Sequence, residues 1–284
     1  MSEAPAETLN VYIGCEPPQH VAAQVLKHSI LSHARVPVRV RGLDECAATV
    51  EMALAGRTMF SLQRFLIPQL NGRRGLAVYL DSDMLVFRDI GEMLECRDTE
   101  VAVSSAMATP DSGRKPQYSV LVIDCARAVW DLAAVQAAAR DDYRALMTRL
   151  SLEPSKSACL PYQWNSLERL DPDTGLLHYT SMNHQPWVAT SNPLLGIWMD
   201  ALFRAMAAGY VDLAEVRKAV KQGWVRPGLL WQAEQGERDP RRMPMKLRLQ
   251  DYLYTPPHQR GRRAWRREQA RLALFGPARQ GYRT

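Results

Sequence analysis

Between residues 76 and 83 the chain reads Leu76-Ala77-Val78-Tyr79-Leu80-Asp81-Ser82-Asp83, an apolar run that ends in two acids. The apolar part has the length and the β-branched and aromatic content of a strand that is buried on both faces. Such a strand delivers the two carboxylates to its carboxyl edge, where open α/β sheets bind their ligands. Two hard oxygen ligands so close together suit a divalent cation that keeps waters and takes further oxygens from a phosphate. This stretch therefore predicts a metal ion and a phosphorylated ligand at one edge of a sheet.

The same two acids also fit a simple turn, because Asp often ends strands and caps helices. Here the chain stays apolar after the acids, with Met84-Leu85-Val86-Phe87. Burying two ionised carboxylates costs several kcal/mol unless they are paired or bound to a metal. An apolar continuation therefore favours the metal site over the turn.

Length and composition predict one sizeable α/β domain with an appendage, or two small domains. No apolar stretch reaches the roughly 18 residues that a spanning helix needs. The acidic N-terminal segment lacks the features of a signal peptide, so a cytoplasmic protein is expected. The five cysteines are widely spaced and form no Cys-x-x-Cys pair, which predicts reduced thiols and leaves oxygen and imidazole as metal ligands.

Strand and helix patterns alternate ahead of the acidic pair. Residues 9–14 and 36–40 are typical of strands, and residues 20–31 between them carry apolar side chains at helical spacing. This β-α-β order predicts the start of a doubly wound sheet. A helix over residues 60–70 is expected to lead into the strand that ends in the two acids.

The pattern beyond the acidic pair predicts a change from an α/β domain over residues 1–190 to a helical extension over residues 191–284, ending in an Arg-rich tail. The expected elements are strands over 101–104, 119–123 and 176–179, a short helix or turn over 90–94, a broken helix over 126–150, and helices over 194–208 and 211–222. Residues 151–175 are expected to be irregular. Regular periodicity is lost after Pro227.

Four segments follow one another in an order that a known family shares. They are Thr58-Met59-Phe60-Ser61-Leu62-Gln63-Arg64-Phe65-Leu66-Ile67-Pro68, then Asp81-Ser82-Asp83, then Pro161-Tyr162-Gln163-Trp164-Asn165, then His178-Tyr179-Thr180 with Gln185-Pro186-Trp187. Over residues 9–187 this set resembles the family 8 type of GT-A glycosyltransferases, bacterial members above all. The resemblance implies a GT-A fold, a mixed and mainly parallel sheet flanked by helices, and a hexosyltransferase-like enzyme of polysaccharide biosynthesis.

The resemblance also implies a metal site. Asp81, Asp83 and His178 would hold a manganese or magnesium ion that bridges the diphosphate of a nucleotide-sugar donor. Neutral imidazole is a reasonable third ligand beside two carboxylates, and the ion would stabilise the leaving nucleoside diphosphate. Taken alone, a histidine at a strand end is more often structural, but the His-Tyr-Thr context favours a ligand.

Donor contacts follow from the same resemblance. The residues implied are Gly14, Cys15, Arg64, Ser82, Asn165, Gln185 and Trp187. Four of them have a plainer alternative: a tight turn for Gly14 and Cys15, a helix-surface side chain for Arg64, and a buried amide that organises a loop for Asn165.

The chain departs from the family pattern in ways that bear on catalysis. Gln185 stands where many members carry a lysine, Tyr118-Ser119-Val120 replaces Asn-Ser-Gly, and no Asp-Gln-Asp segment is present. Gln163 is the candidate for the anomeric face of the sugar. Family members retain anomeric configuration, and in one proposed route a diphosphate oxygen takes the acceptor proton, which makes a carboxylate base unnecessary.

The Arg-rich end has three interpretations. From Arg238 to Thr284 there are thirteen Lys or Arg and three acids, a net charge of +10 in a chain whose total is +6. A solvated tail is the plainest interpretation. A peripheral contact with the inner face of a membrane is the second, because basic clusters gain about 1 kcal/mol per residue near anionic lipid and Trp265, Leu272 and Phe275 add apolar groups. Nucleic-acid binding ranks last, since no recognition fold accompanies the charge.

The sequence as a whole favours metal-dependent transfer of a sugar from a nucleotide-sugar, a UDP-sugar above all, to a glycan or lipid-linked glycan. One alternative is a phosphatase of the haloacid dehalogenase type with magnesium, although Leu85 replaces its usual Thr or Val and no later acidic pair is found. The other is a non-catalytic relative that binds a glycan or a partner protein, because fold does not fix function.

Overall fold

The computed structural model describes residues 8–46, 62–114 and 118–260. The chain divides into two compact units, Met1–Thr180 and Ser181–Thr284. The start of the predicted helix at residues 60–61 and the tail beyond Arg260, with its predicted membrane or nucleic-acid contacts, lie outside the described residues.

A six-stranded mixed sheet forms the centre of the first unit within the described residues. Its strands are β1 (Leu9–Gly14), β2 (Val38–Gly42), β3 (Leu76–Asp81), β5 (Val103–Ala106), β6 (Val120–Asp124) and β7 (Lys156–Leu160), in the order β2-β1-β3-β6-β5-β7. The predicted β-α-β start is confirmed, because β1 runs parallel to both β2 and β3. Strand β6 runs antiparallel to its neighbours β3 and β5.

Helices cover both faces of this sheet, because alternate residues of each strand point to opposite sides. The helices of the first unit are α1 (His20–His33), α2 (Leu43–Cys46), α3 (Ile67–Leu70), α4 (Glu92–Glu95) and α5 (Leu132–Arg149). Val11, Val78 and Val122 pack on the face that holds Leu26 of α1. Tyr79 and the other side chains of the opposite face pack against Trp130 and α5.

A second, three-stranded sheet follows the acidic pair among the described residues. It consists of β4 (Met84–Val86), β9 (Leu176–His178) and β8 (Ser166–Leu167), in the order β4-β9-β8. Strand β9 is antiparallel to β4, with Met84 opposite His178, and parallel to β8. The fully buried β4 confirms that the chain stays in the core after the two acids.

Several predicted bounds need correction. Residues 151–175 contain the strand β7, which the pattern missed because an edge strand of mixed exposure lacks a continuous apolar run. The predicted broken helix begins only at Leu132, since Asp131 caps it by accepting a hydrogen bond from the Ala134 amide at 3.0 Å. Its break is confirmed at Asp142, which has non-helical backbone angles.

The second unit is helical where it is described. Its helices are α6 (Leu195–Ala207), α7 (Leu213–Lys221), α8 (Gly228–Gln235) and α9 (Met245–Leu253). The first two confirm the predicted helices, whereas α8 and α9 show that the loss of regularity expected after Pro227 was wrong. Among the described residues, no helix combines the length and apolar character needed to cross a membrane.

Candidate metal centre

The two acids and His178 meet because of how three strands are arranged. Asp81 is the last residue of β3, Asp83 directly precedes β4, and His178 ends β9 opposite Met84. The backbone amide of Tyr179 also donates to the Asp83 carbonyl at 2.8 Å, which continues the pairing past the strand ends. One ligand atom from each of Asp81, Asp83 and His178 lies within 4.8 Å of the others. The three predicted ligands therefore converge at the carboxyl edge of β3.

The imidazole of His178 is held in one orientation by a chain of polar side chains. Its Nδ1 lies 2.8 Å from Asn165 Oδ1, and the Asn165 amide nitrogen lies 3.4 Å from Ser119 Oγ. Because the amide oxygen can only accept, this network assigns the ring proton to Nδ1. The other nitrogen, Nε2, lies 3.2 Å from Asp83 Oδ1, so a proton or a metal cation between these two atoms is favoured.

Such a ring is a suitable metal ligand, because a hydrogen bond at one nitrogen fixes the tautomer that coordinates through the other. Asp81 and Asp83 have side chains 22% and 14% exposed, so both carboxylates can be reached from solvent. The donor set of two carboxylates and one imidazole suits a divalent cation that prefers oxygen and nitrogen ligands, rather than a thiol-seeking metal. These residues fit a divalent cation.

The electrostatics of the cluster also call for a cation. Burial raises the pKa of Asp81, Arg64 opposes this rise, and the neighbouring Asp83 adds to it. Burial lowers the pKa of His178, but the two carboxylates outweigh burial, so the pKa of the imidazole is raised overall. Two crowded carboxylates are costly to ionise together unless positive charge is supplied.

Arg64 supplies one such charge from within the protein. Its guanidinium is buried, donates to the Tyr118 carbonyl at 2.6 Å and lies 3.5 Å from Asp81 Oδ1. It also stacks over the Tyr79 ring, with 4.5 Å between the guanidinium carbon and the ring centroid. Burial lowers the pKa of Arg64, but Tyr79 and Asp81 outweigh it and raise that pKa. The alternative of a helix-surface arginine is therefore wrong.

Tyr79 completes the surroundings of Asp81, and the sequence analysis missed it. Its hydroxyl donates to Asp81 Oδ1. The signal was present in the two-residue period of a strand, which places residues 79 and 81 on the same side of β3.

Gly14 lies directly opposite Asp81 in the pairing of β1 with β3. A Cβ atom at this position would collide with the Tyr79 hydroxyl and come within 3.1 Å of its ring carbons. The close approach of Tyr79 therefore requires glycine at position 14. This reason is side-chain packing, whereas the alternative drawn from the sequence was a tight turn.

Three other predicted site residues lie in the first unit. Cys15 is buried, its thiol lies 3.4 Å from the Glu16 carbonyl, and burial raises its pKa, so it is an unreactive thiol. Ser82 is 1% exposed, and its hydroxyl makes no hydrogen bond within the described part of the chain. Gln163 donates from Nε2 to Asp173 Oδ2 at 2.7 Å on the surface.

The remaining two predicted donor contacts, Gln185 and Trp187, belong to the second unit and are buried there. The Trp187 ring packs against Trp198 with 5.2 Å between centroids. Arg226 holds this segment twice, donating from its backbone amide to the Trp187 carbonyl at 2.9 Å and from Nε to the Pro186 carbonyl at 3.0 Å.

Comparison with known proteins gives one sequence relative and several structural ones. No family model matches the chain. Protein CDI of Arabidopsis thaliana is 25% identical over 206 residues, which cover 62% of this chain and 78% of that protein. The glycosyltransferase GlyE of Streptococcus pneumoniae TIGR4 superposes with a TM-score of 0.53 at 14% identity, over 78% of this chain and 65% of GlyE. The bifunctional glycosyltransferase WbbM gives a TM-score of 0.47 at 15% identity, over 71% of this chain and 50% of WbbM.

The likeness to GlyE shows the fold. The predicted GT-A architecture, a mixed α/β sheet flanked by helices, is confirmed. This chain spans 65% of GlyE and half of WbbM.

Proposed function

We propose that this chain is a metal-dependent glycosyltransferase that moves a sugar from a nucleotide-sugar to a glycan or lipid-linked glycan acceptor. The observation that carries the proposal is the convergence of Asp81, Asp83 and His178 at the carboxyl edge of a GT-A sheet, with the histidine nitrogen Nε2 turned towards the acids. Open α/β folds bind nucleotides at this edge of the sheet. GlyE, which has the same fold, is itself a glycosyltransferase by name.

The three ligands would hold manganese or magnesium, and such an ion when bound supplies Lewis-acid stabilisation of the charge on a leaving diphosphate. Asn165 keeps the His178 ring in the coordinating tautomer. Arg64 stays cationic beside Asp81 and adds positive charge on the side of β3. This buried arginine is the candidate to replace the charge that the family's usual lysine supplies and Gln185 does not.

The donor expected is a UDP-sugar, and the outcome expected is retention. Gly14, Cys15 and Ser82 are proposed to border the nucleoside diphosphate, with Gln163 towards the anomeric carbon. Retention through a diphosphate oxygen as the proton acceptor requires no protein base. The metal ligands and the donor then perform the chemistry together.

The phosphatase alternative is disfavoured by the ligand set. Within the described residues, the imidazole of His178 completes the cluster of Asp81 and Asp83, where such a phosphatase would have a second acidic pair. A non-catalytic relative would share the fold but would not turn over a donor. Release of UDP from a panel of UDP-sugars, with and without acceptor glycans, separates this alternative from an enzyme.

Binding of UDP in the presence of Mn²⁺ tests the proposal directly. Titration calorimetry should show metal-dependent binding by the parent chain and a loss of at least about tenfold in affinity for Asp83→Ala, because a carboxylate ligand is removed. Asp124→Ala is the matched control. Asp124 ends β6 and pairs with Leu76, the first residue of β3, so it lies at the opposite end of that strand from Asp81. Absence of binding in the parent, or equal binding by Asp83→Ala, would overturn the proposal.

A further inference from the structure

Helix α9 (Met245–Leu253) is fixed in rotation by one buried ion pair. Asp251 Oδ2 accepts from Arg226 Nη1 at 2.9 Å, and Asp251 Oδ1 accepts from the Gly228 amide at 2.6 Å. The Arg226 side chain is fully buried and that of Asp251 is 5% exposed. Met243, just ahead of the helix, is also buried. The Asp251 side of α9 therefore faces the interior of the second unit.

The opposite side of α9 carries an apolar stripe that faces solvent. Its members are Met245 at 73% exposure, Leu249 at 55%, Tyr252 at 39% and Leu253 at 64%. Residues at positions i, i+4, i+7 and i+8 share one face of a helix. The other large exposed apolar side chains of the described residues occur singly along the chain, at Val36, Met107, Val129, Leu170 and Met182. Isolated apolar side chains are normal on a surface, whereas a contiguous stripe marks an interaction site.

Cations flank this stripe on both sides. At 100° per residue, Lys246 lies beside Leu253 on one border of the stripe and Arg248 lies beside Tyr252 on the other. Both side chains are exposed. The single acid of the helix, Asp251, points inward to Arg226. The solvent side of α9 therefore combines an apolar centre with positively charged borders.

We propose that the solvent side of α9 docks on an anionic lipid surface. The apolar stripe would enter the boundary between headgroups and acyl chains, and Lys246 and Arg248 would meet lipid phosphates. Helices with an apolar face and basic borders lie in the plane of a membrane interface in this way. Anionic headgroups complement the flanking charges.

Charge disfavours two other occupants. A second copy packed stripe to stripe would bring the flanking cations of the two helices together. The following segment of the chain, residues 261–284, carries seven arginines and one acid, so its charge has the same sign as the borders of the stripe. An anionic partner surface is therefore the complementary one.

Vesicle flotation of the full-length chain tests this proposal without reference to catalysis. The parent should float with vesicles that contain phosphatidylglycerol and only weakly with phosphatidylcholine alone. Leu249→Glu/Leu253→Glu should lower the partition coefficient at least about tenfold, because two apolar anchors are replaced by anions. Val129→Glu is the matched control, since Val129 is 54% exposed and stands alone in the first unit. Failure of the parent to float would overturn the proposal.

Two further variants separate the helix from the tail, and light scattering separates vesicle binding from self-association. Lys246→Gln/Arg248→Gln keeps the apolar stripe and should reduce the preference for phosphatidylglycerol. A variant with glutamine at the arginines 262, 263, 266 and 267 should keep the sensitivity to Leu249→Glu/Leu253→Glu. The proposal fails if vesicle binding is lost in the tail variant and unchanged in both helix variants. It also fails if the Leu249→Glu/Leu253→Glu variant converts a dimer to a monomer in light scattering and leaves flotation unaltered.

Discussion

His178 offers a metal only its Nε2 atom, because Nδ1 is engaged by Asn165. The asparagine in turn is held by Ser119 at the start of β6 and, through its carbonyl, by Thr109 Oγ1 at 2.9 Å. The orientation of the third ligand thus depends on residues from three separate parts of the chain. Asn165 is a positioning residue in this arrangement.

Asn165→Ala should weaken Mn²⁺ binding about 10- to 100-fold, because the His178 ring loses the partner that fixes its tautomer and orientation. The affinity is measured by titrating the full chain with Mn²⁺ and following free ion by electron paramagnetic resonance. Asn71→Ala is the control, since Asn71 contacts Tyr12 and Arg74 ahead of β3 and should leave the affinity unchanged. Equal Mn²⁺ affinities in the parent, Asn165→Ala and Asn71→Ala would show that the contact between Asn165 and His178 does not affect metal binding.

The residues that could be predicted are those whose chemistry is visible in short motifs. Asp81 and Asp83 follow an apolar strand, and the His-Tyr-Thr context identified His178. The contact of Asn165 with His178 could not be read from the sequence, because it depends on how a 3-10 turn over Tyr162–Asn165 lies beside β9. Tyr79 was missed although strand periodicity places it beside Asp81.

At the scale of elements, strands β1 and β3 meet tightly where the Tyr79 side chain of β3 packs beside Gly14 of β1. The Tyr79 hydroxyl fills the space beside the Gly14 Cα that a side chain would need. That hydroxyl also binds Asp81, so the packing of two strands and the surroundings of a metal ligand depend on one glycine.

Gly14→Ala should lower the free energy of unfolding by about 1–3 kcal/mol, because the added methyl group overpacks a fully buried contact. Adding Tyr79→Phe should recover part of the loss, since the hydroxyl that collides is removed. Urea unfolding followed by circular dichroism measures both changes. Gly196→Ala is the control, because nothing lies within 4 Å of its added Cβ in α6, and it should be neutral or stabilising.

The elements that were predicted well are those with continuous apolar runs or clear helical periodicity, such as β1, β3 and α1. Strand β7 was missed because it is an edge strand that pairs only with β5 and exposes part of its residues. Helices α8 and α9 were missed because the Arg-rich composition after Pro227 obscured their short helical repeats, such as the apolar spacing of residues 245, 249, 252 and 253. In α9 the inward side carries the charged Asp251 and the outward side carries leucines, the reverse of the usual helix.

At the scale of the molecule, each unit has its own means of stabilisation. The second unit is built around Arg226, which binds Asp251, the Gln232 side chain at 2.5 Å and the Pro186 carbonyl. Burial lowers the pKa of this arginine, and Asp251 opposes that effect. A charge this deeply buried is tolerated only because each side of the guanidinium has a partner.

Arg226→Met should lower the free energy of unfolding of the second unit by about 3–5 kcal/mol, because Asp251 is left buried without its counter-charge. Adding Asp251→Leu should recover part of the loss. Tryptophan fluorescence during urea unfolding measures the change, and Trp187 and Trp198 contribute the signal of this unit beside Trp130 and Trp164 of the first. Arg217→Met is the matched control, since the Arg217–Glu234 pair is exposed and should contribute little. Similar losses for the two variants would contradict a special role for Arg226.

The fold of the whole first unit could be anticipated because four ordered motifs together resemble one fold family, and the likeness to GlyE agrees with it. Strands β3 and β9, which carry Asp81 and His178, were also expected, whereas β4 after Asp83 was expected only as buried chain. The reversal of β6 was not predicted, since no residue pattern distinguishes a buried parallel strand from a buried antiparallel one. That reversal brings Ser119, at the beginning of the strand, to the edge where Asp81 ends β3.

The pairing of β9 with β4 has a consequence for how such sites tolerate insertions and deletions. His178 faces Asp83 because of strand register, and a shift of one residue within β9 would turn the imidazole to the other face of the small sheet. Extra residues in the loop between β8 and β9 leave that register unchanged. Chains with the same three ligands can therefore differ freely in the number of residues between the acids and the histidine. The strand that carries the histidine, rather than its distance along the sequence, identifies this site.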